Sequence, residues 1–195
     1  MNSMKNLLIL TTTLAVTAPA FAYDPVGIPN YEQVNANLYR GGRPEQAGLA
    51  ELAKMGVKTV INLQGGDLRS AWAFVDRRTE PGELPENIAI EGEQVKALHM
   101  NYINFPIDSV DKIDAQEDQW IKQILVDVQN PALQPVFVHC EHGKDRTGLI
   151  VALERVQFEK WSPSDAHAEW VRMGHDLKAQ IFTGNLDRYF NTQVK

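Results

Sequence analysis

The residues best equipped for chemistry stand in one decapeptide, His139-Cys140-Glu141-His142-Gly143-Lys144-Asp145-Arg146-Thr147-Gly148. Cys140 and Arg146 sit near its two ends. The apolar run Val136-Phe137-Val138 precedes it, and the helix-compatible stretch Leu149 to Leu153 follows. That order predicts a buried strand, a tight loop and a helix N-terminus. Such a loop aims successive backbone N–H groups at one point, and the helix dipole adds partial positive charge there. The N–H groups and Arg146 together favour a thiolate at Cys140. A thiolate beneath an anion cradle is equipped to attack a phosphate ester and to hold the phosphoryl group on sulfur.

Within this reading Arg146 grips two phosphate oxygens as a bidentate fork. Thr147 turns its hydroxyl to the sulfur and helps it leave in a second step. Glu141, His142, Gly143, Lys144, Asp145 and Gly148 line the anion, and His139 supports the loop from behind. Asp145 has no settled role: it could orient Arg146, orient the attacking water, or be a solvated acid. The leaving alkoxide needs a proton, which requires a general acid. Asp108 is the best placed, after the strand end Asn104-Phe105-Pro106-Ile107. That strand could lie beside the catalytic one and bring its loop to the same edge. Asp111 and Asp114 are rivals, although Asp114 with Glu117 reads as a helix cap.

Other chemistries fit less well. A zinc site on His139, Cys140 and His142 is too tightly spaced, with no second Cys/His pair nearby. A sulfurtransferase needs neither the acid nor the Arg146-Thr147 ending. An arsenate reductase needs further cysteines, and the chain has one. A phosphate-binding module without catalysis would be expected to lack Cys140, Arg146 or the acid.

The elements that must position these groups follow from pattern. Asn37-Leu38-Tyr39-Arg40 predicts a short strand and Gly41-Gly42 a turn. Leu49, Leu52, Ala53 and Met55 predict a helix that opens near Pro44 and ends at Gly56. Val57 to Leu63 is a β-branched strand, Glu93 to His99 a short helix, and Met100 to Phe105 a further strand. The stretch 79–93, rich in Pro and Gly, reads as a surface wrap. Arg69, Arg77 and Arg78 precede it, as solvated surface or as a grip on a polyanion. Trp120, Ile121, Ile124, Leu125 and Val128 form one helical stripe that stops at Asn130-Pro131. A helix from the loop to about Lys160 follows, then one opened by Ser162-Pro163, then a short one over 185–191. Together they predict one α/β domain, a central four- to five-stranded sheet flanked by helices.

Composition bounds the rest. The 195 residues suffice for one core, at 44% hydrophobic and 23% charged. A net charge of −6 argues against nucleic-acid binding. Residues 1–22 resemble a secretory leader: Lys5, an apolar run from Leu7 to Ala18, and Ala20-Phe21-Ala22 as a cleavage site. An uncleaved membrane anchor is the alternative, but the run is shorter than the roughly 20 residues that span a bilayer. The expectation is an exported protein, periplasmic or secreted, that does not bind membrane once the leader is cut. A monomer is expected.

The sequence His139-Cys140-x5-Arg146-Thr147-Gly148 resembles the signature of cysteine-dependent protein tyrosine and dual-specificity phosphatases. The resemblance extends upstream through Leu38-Tyr39-Arg40-Gly41-Gly42-Arg43-Pro44 and Leu52 to Leu63, and covers about 37–158. It implies a dual-specificity-phosphatase-like fold over 23–195 and a two-step phosphatase using Cys140, Arg146, Asp108 and Thr147, without metal or cofactor. Lys144 resembles a feature of phosphoinositide phosphatases, and Gly143-Lys144-Asp145-Arg146-Thr147-Gly148 is similar to the loops of lipid-active bacterial tyrosine phosphatases. The overall plan also resembles the exported phosphatase-like inositol polyphosphatases (phytases). Two potential cations in the loop, His142 and Lys144, point to a phosphorylated small molecule bearing several phosphates.

Overall fold

The computed structural model describes residues 27–66, 81–108, 112–175 and 180–195, with the side chains of 180–184 left aside. The expected leader over 1–22, Arg69, Arg77, Arg78 and the rival acid Asp111 lie outside the described residues. The chain order is β1 Glu32–Gln33, β2 Leu38–Gly41, α1 Gln46–Lys54, β3 Thr59–Asn62, a 3-10 turn Pro81–Glu83, α2 Pro85–Ala97, β4 Asn101–Asn104, α3 Ala115–Gln129, β5 Val136–His139, α4 Asp145–Gln157, α5 Pro163–Arg172 and α6 Gln180–Gln193.

The five strands form one sheet in the order β1-β2-β5-β3-β4, parallel except for β1. Strand β5, which leads directly into Cys140, is therefore central. Its last residue, His139, pairs with Gly41 on one side and Asn62 on the other, so three strand ends open onto one edge. The strand before Asp108 was expected beside β5. It is one place further out, because β3 takes the seat next to β5 and β4 pairs with β3.

Alternation along the strands builds two cores. Val136 and Val138 point with Leu38 and Ile61 toward α3, α4, α5 and α6. Phe137 points the other way, with Tyr39, Val60, Leu49, Leu52 and Val95, toward α1 and α2. Both faces of a mostly parallel sheet are thus covered, as such sheets require. Among the described residues no helix is long and apolar enough to cross a membrane.

Most element boundaries follow local signals. Asp114 accepts bonds from the N–H groups of Gln116 and Glu117, and Glu117 accepts from Asp114 N–H, a complete capping box for α3. Ser162 caps α5 by accepting from Asp165 N–H at 3.1 Å. Two helices exceed expectation. Of the wrap expected over 79–93, the described part, 81–93, holds the 3-10 turn and most of α2, with Pro85 in its first turn, where a missing N–H costs nothing. The last helix spans Gln180–Gln193 rather than a short piece.

Candidate active site

Cys140 follows β5 directly and Asp145 opens α4, so the loop between them lies at the helix N-terminus. Cys140 is buried, at 3% exposure. Gly143 has φ +70°, and a side chain there would drive a Cβ to 2.3 Å from the Gly41 carbonyl carbon. Glycine is required at 143 on both counts. The Gly41-Gly42 turn is the surface against which the loop is laid. Arg43 N–H donates to the Glu141 carbonyl at 2.9 Å, which fastens the same two segments.

Arg40 reaches up from β2 and donates from Nη2 to the Gly143 carbonyl at 2.6 Å. It is fully buried, and its Nε and Nη1 have no hydrogen-bond partner among the described residues. Burial holds its pKa below the usual arginine value, with the charges of Glu32 and Cys140 opposing that shift. Asn30 adds a second donor to the Gly143 carbonyl at 3.0 Å and also donates to the Met173 carbonyl. Sequence reasoning read this region as strand and turn, and missed Arg40 as a brace.

His139 lies beneath the loop, as a support would. Its Nε2 is 2.7 Å from Glu91 Oε1, its Nδ1 is 3.3 Å from the Cys140 carbonyl, and both side chains are buried. Glu91 comes from α2, in the stretch expected to be surface.

Arg146 is buried, and its Nη2 donates to Glu83 Oε1 at 2.7 Å. The other Glu83 oxygen accepts from Gly65 N–H at 2.7 Å. Glu83 therefore fixes the guanidinium against the β3 loop. Arg146 Nη1 also lies 3.4 Å from the Ile107 carbonyl, which brings the acid loop to the arginine despite the intervening strand. Asp108 is 5% exposed, and its N–H donates to Glu117 Oε1 at 2.8 Å. The capping glutamate of α3 thus holds the expected acid in place with its second oxygen. Asp114 is occupied as the cap.

The remaining loop residues divide by direction. Glu141 accepts from Gln64 Nε2, and Gly82 fits between these two side chains only because it has none: a Cβ would fall 1.9 Å from each. Gly148 faces the indole of Trp170 instead of an anion. Asp145 accepts from His175 Nδ1 at 2.7 Å. Any grip that Glu141 and Asp145 exert on an anion is therefore through backbone N–H groups, whereas the Gly148 N–H, expected to line the anion, is donated to the Lys144 carbonyl at 3.0 Å. His142 and Lys144 are the exposed members, and the Lys144 methylenes lie across Gly174. The Thr147 hydroxyl, expected at the sulfur, donates to the Gly41 carbonyl at a long 3.5 Å.

His175 explains Asp145. Burial alone would push this imidazole toward neutrality, but Asp145 on one nitrogen and Asp187 on the other outweigh it and raise its pKa above the ordinary histidine value. Trp170 stacks on the ring at 4.0 Å and donates to the Lys144 carbonyl at 3.0 Å. Neither residue announced a link to the loop in the sequence.

A family model described as "DSP-PTPase phosphatase fused to NAD+ Kinase" matches residues 25–181. The chain belongs to this DSP-PTPase phosphatase family. Among curated proteins of known name, the dual specificity protein phosphatase TpbA of Pseudomonas aeruginosa is 28% identical over 163 residues, 83% of this chain and 62% of TpbA. The chain spans less than two thirds of that relative. The inositol diphosphatase DSP4 of Arabidopsis thaliana is 26% identical over 154 residues, 78% of this chain and 67% of its own. Among solved structures, the core catalytic domain of the PP-IP phosphatase SIW14 from S. cerevisiae superposes with a TM-score of 0.63 at 20% identity, covering 88% of this chain and 89% of that one. The P. aeruginosa TpbA structure gives 0.61 at 22% identity, covering 88% of each chain. The chain is thus a phosphatase of the DSP/PTP-like family, with the expected α/β fold.

Proposed function

We propose that the phosphatase hydrolyses phosphomonoesters through a cysteinyl-phosphate, and that its substrates are polyphosphorylated small molecules such as inositol polyphosphates. The observation that carries the mechanism is the seating of Cys140 at the start of the loop and of Arg146 in the first turn of α4, with the Asp108 segment reaching Arg146. The Cys140 thiolate attacks phosphorus, the P–O bond to the alcohol breaks, and Asp108 gives its proton to the leaving oxygen. Water then attacks phosphorus, Asp108 takes a proton from it, and the S–P bond breaks to return thiolate and orthophosphate. Loop N–H groups and Arg146 hold the equatorial oxygens in both steps. A hydroxyl held as loosely as that of Thr147 is available to the sulfur as it leaves.

The substrate reading rests on His142 and Lys144, exposed beside the buried nucleophile in an otherwise acidic protein. The names of two relatives, an inositol diphosphatase and a PP-IP phosphatase, support it. The similarity to a dual specificity protein phosphatase favours phosphoprotein as the second reading. We further propose export after loss of the first 22 residues, which N-terminal sequencing of protein recovered from the culture would test.

The deciding experiment is a phosphate-release panel of inositol hexakisphosphate, inositol pyrophosphate, phosphoinositides, a phosphotyrosine peptide and nucleotides. The highest kcat/KM is expected on the inositol polyphosphates, unaffected by EDTA and inhibited by vanadate. Preference for the phosphotyrosine peptide would overturn the substrate reading. Turnover that survives Cys140→Ser would overturn the mechanism.

A further inference from the structure

His167 on α5, His175 just after it and Asp187 on α6 converge behind the cysteine loop. His167 Nε2 lies 2.7 Å from Asp187 Oδ1, and His175 Nε2 lies 2.9 Å from Asp187 Oδ2. The three ligand atoms lie within 4.8 Å of one another, the one such grouping among the described residues. We propose that these residues form a binding site for a zinc-class divalent transition metal, separate from the phosphatase chemistry.

Several features support the assignment. The donor set, two imidazoles and a carboxylate, is one that zinc accepts with a fourth position left open. Tetrahedral zinc needs donor atoms roughly 3.3 Å apart, given Zn–N bonds of about 2.0–2.1 Å. The nitrogen–oxygen spacings of 2.7 and 2.9 Å must open by about 0.5 Å to admit the ion, a shift that rotation of the half-buried His167 and Asp187 side chains can supply. Next, His175 has the outer contact that metal-bound histidines show. Its Nδ1 pairs with Asp145 at 2.7 Å, which leaves Nε2 directed at the cluster and fixes the ring orientation. The parallel Trp170 indole at 4.0 Å holds that orientation from the face. Finally, charge balances: Asp145 and Asp187 together match one divalent ion between neutral imidazoles, and binding releases the imidazole protons to solvent. Half-buried His167 and Asp187 give the ion a route in.

The site would tie α5 to α6 and leave the Asp145–His175 contact intact. It would therefore stabilise the fold behind the loop and take no part in bond breaking. Its consequence for the loop runs through Asp145 and through the Trp170 bond to the Lys144 carbonyl.

The test uses the full chain carrying Cys140→Ser, so that no thiolate can capture the ion. Equilibrium dialysis against zinc chloride should give one ion per chain, and zinc should raise the thermal midpoint. Cobalt(II) should give the visible d–d absorption of a tetrahedral N/O site. Adding His167→Ala should abolish stoichiometric binding, the midpoint shift and the cobalt absorption. His167 is half-buried, so this variant is expected to fold, and circular dichroism checks that it has. Asp187→Asn provides an independent second variant with the same expected loss. Absence of binding to the Cys140→Ser chain, or binding unchanged in both variants, would overturn the proposal.

Discussion

Glu83 and Arg146 are 63 residues apart in sequence and 2.7 Å apart in the fold, both almost fully buried. The arginine that the proposed mechanism places on the phosphate is therefore held in advance by a carboxylate from the turn before α2. Pre-positioning of this kind reduces what the substrate must organise on binding. Glu83→Gln keeps the shape but leaves a buried guanidinium with a weaker partner. It should lower kcat/KM on p-nitrophenyl phosphate by about 100-fold, the scale of a misplaced catalytic group. Breaking a buried pair should also cost about 3 kcal/mol of stability in a denaturant titration. Unchanged kinetics would mean that Arg146 is oriented by other contacts.

Asp108 and Glu117 form the second such pair, joined by the bond from Asp108 N–H to Glu117 Oε1. Asp108→Asn should slow alkyl phosphates far more than aryl phosphates, because a phenolate leaves without a proton and an alkoxide does not. Glu117→Ala should show the same discrimination in weaker form, together with about 1 kcal/mol from the lost N3 bond of the capping box. An equal loss on both substrate types in Asp108→Asn would remove Asp108 from the role of acid.

Lys144 tests the substrate. Its stem lies across Gly174 and its charge is at the exposed side of the loop. Lys144→Met should raise KM for inositol hexakisphosphate more than for phosphotyrosine, with kcat little changed. Steady-state kinetics on the two substrates decides it, and equal effects would remove the argument for several phosphates.

Glu154 should make stability fall as pH rises. It is buried in α4, and its Oε2 has no partner among the described residues. Burial, helped by the charge of Glu159, raises its pKa from 4.5 to about 7 against the pull of Arg155. The folded chain then holds a proton that the unfolded chain has released. Stability is therefore fully present below pH 4.5 and is lost as pH climbs to about 7. The loss is on the order of 3 kcal/mol, at about 1.4 kcal/mol per pKa unit. Glu154→Gln should flatten that part of a stability-against-pH curve measured by urea unfolding. An unchanged slope would show that Glu154 ionises normally in the folded chain.

The sequence by itself determined the features that neighbours along the chain can encode. Strand β5, the loop and α4 are contiguous, so Cys140 and Arg146 are brought together by local geometry alone. The same holds for the Asp114–Glu117 capping box and the Ser162 cap, where three residues separate the partners. Periodicity likewise placed most of the strands and the helix stripe on α3. The tertiary structure decided which partner each of these residues meets. Sheet order put β3 between β4 and β5, yet the Ile107 carbonyl still reaches Arg146. Glu83, Glu91 and Arg40 became parts of the site, and Asp145 found His175 across 30 residues. None of these pairings leaves a local trace, because a buried charge can be satisfied by any complementary group that the topology brings within hydrogen-bond reach.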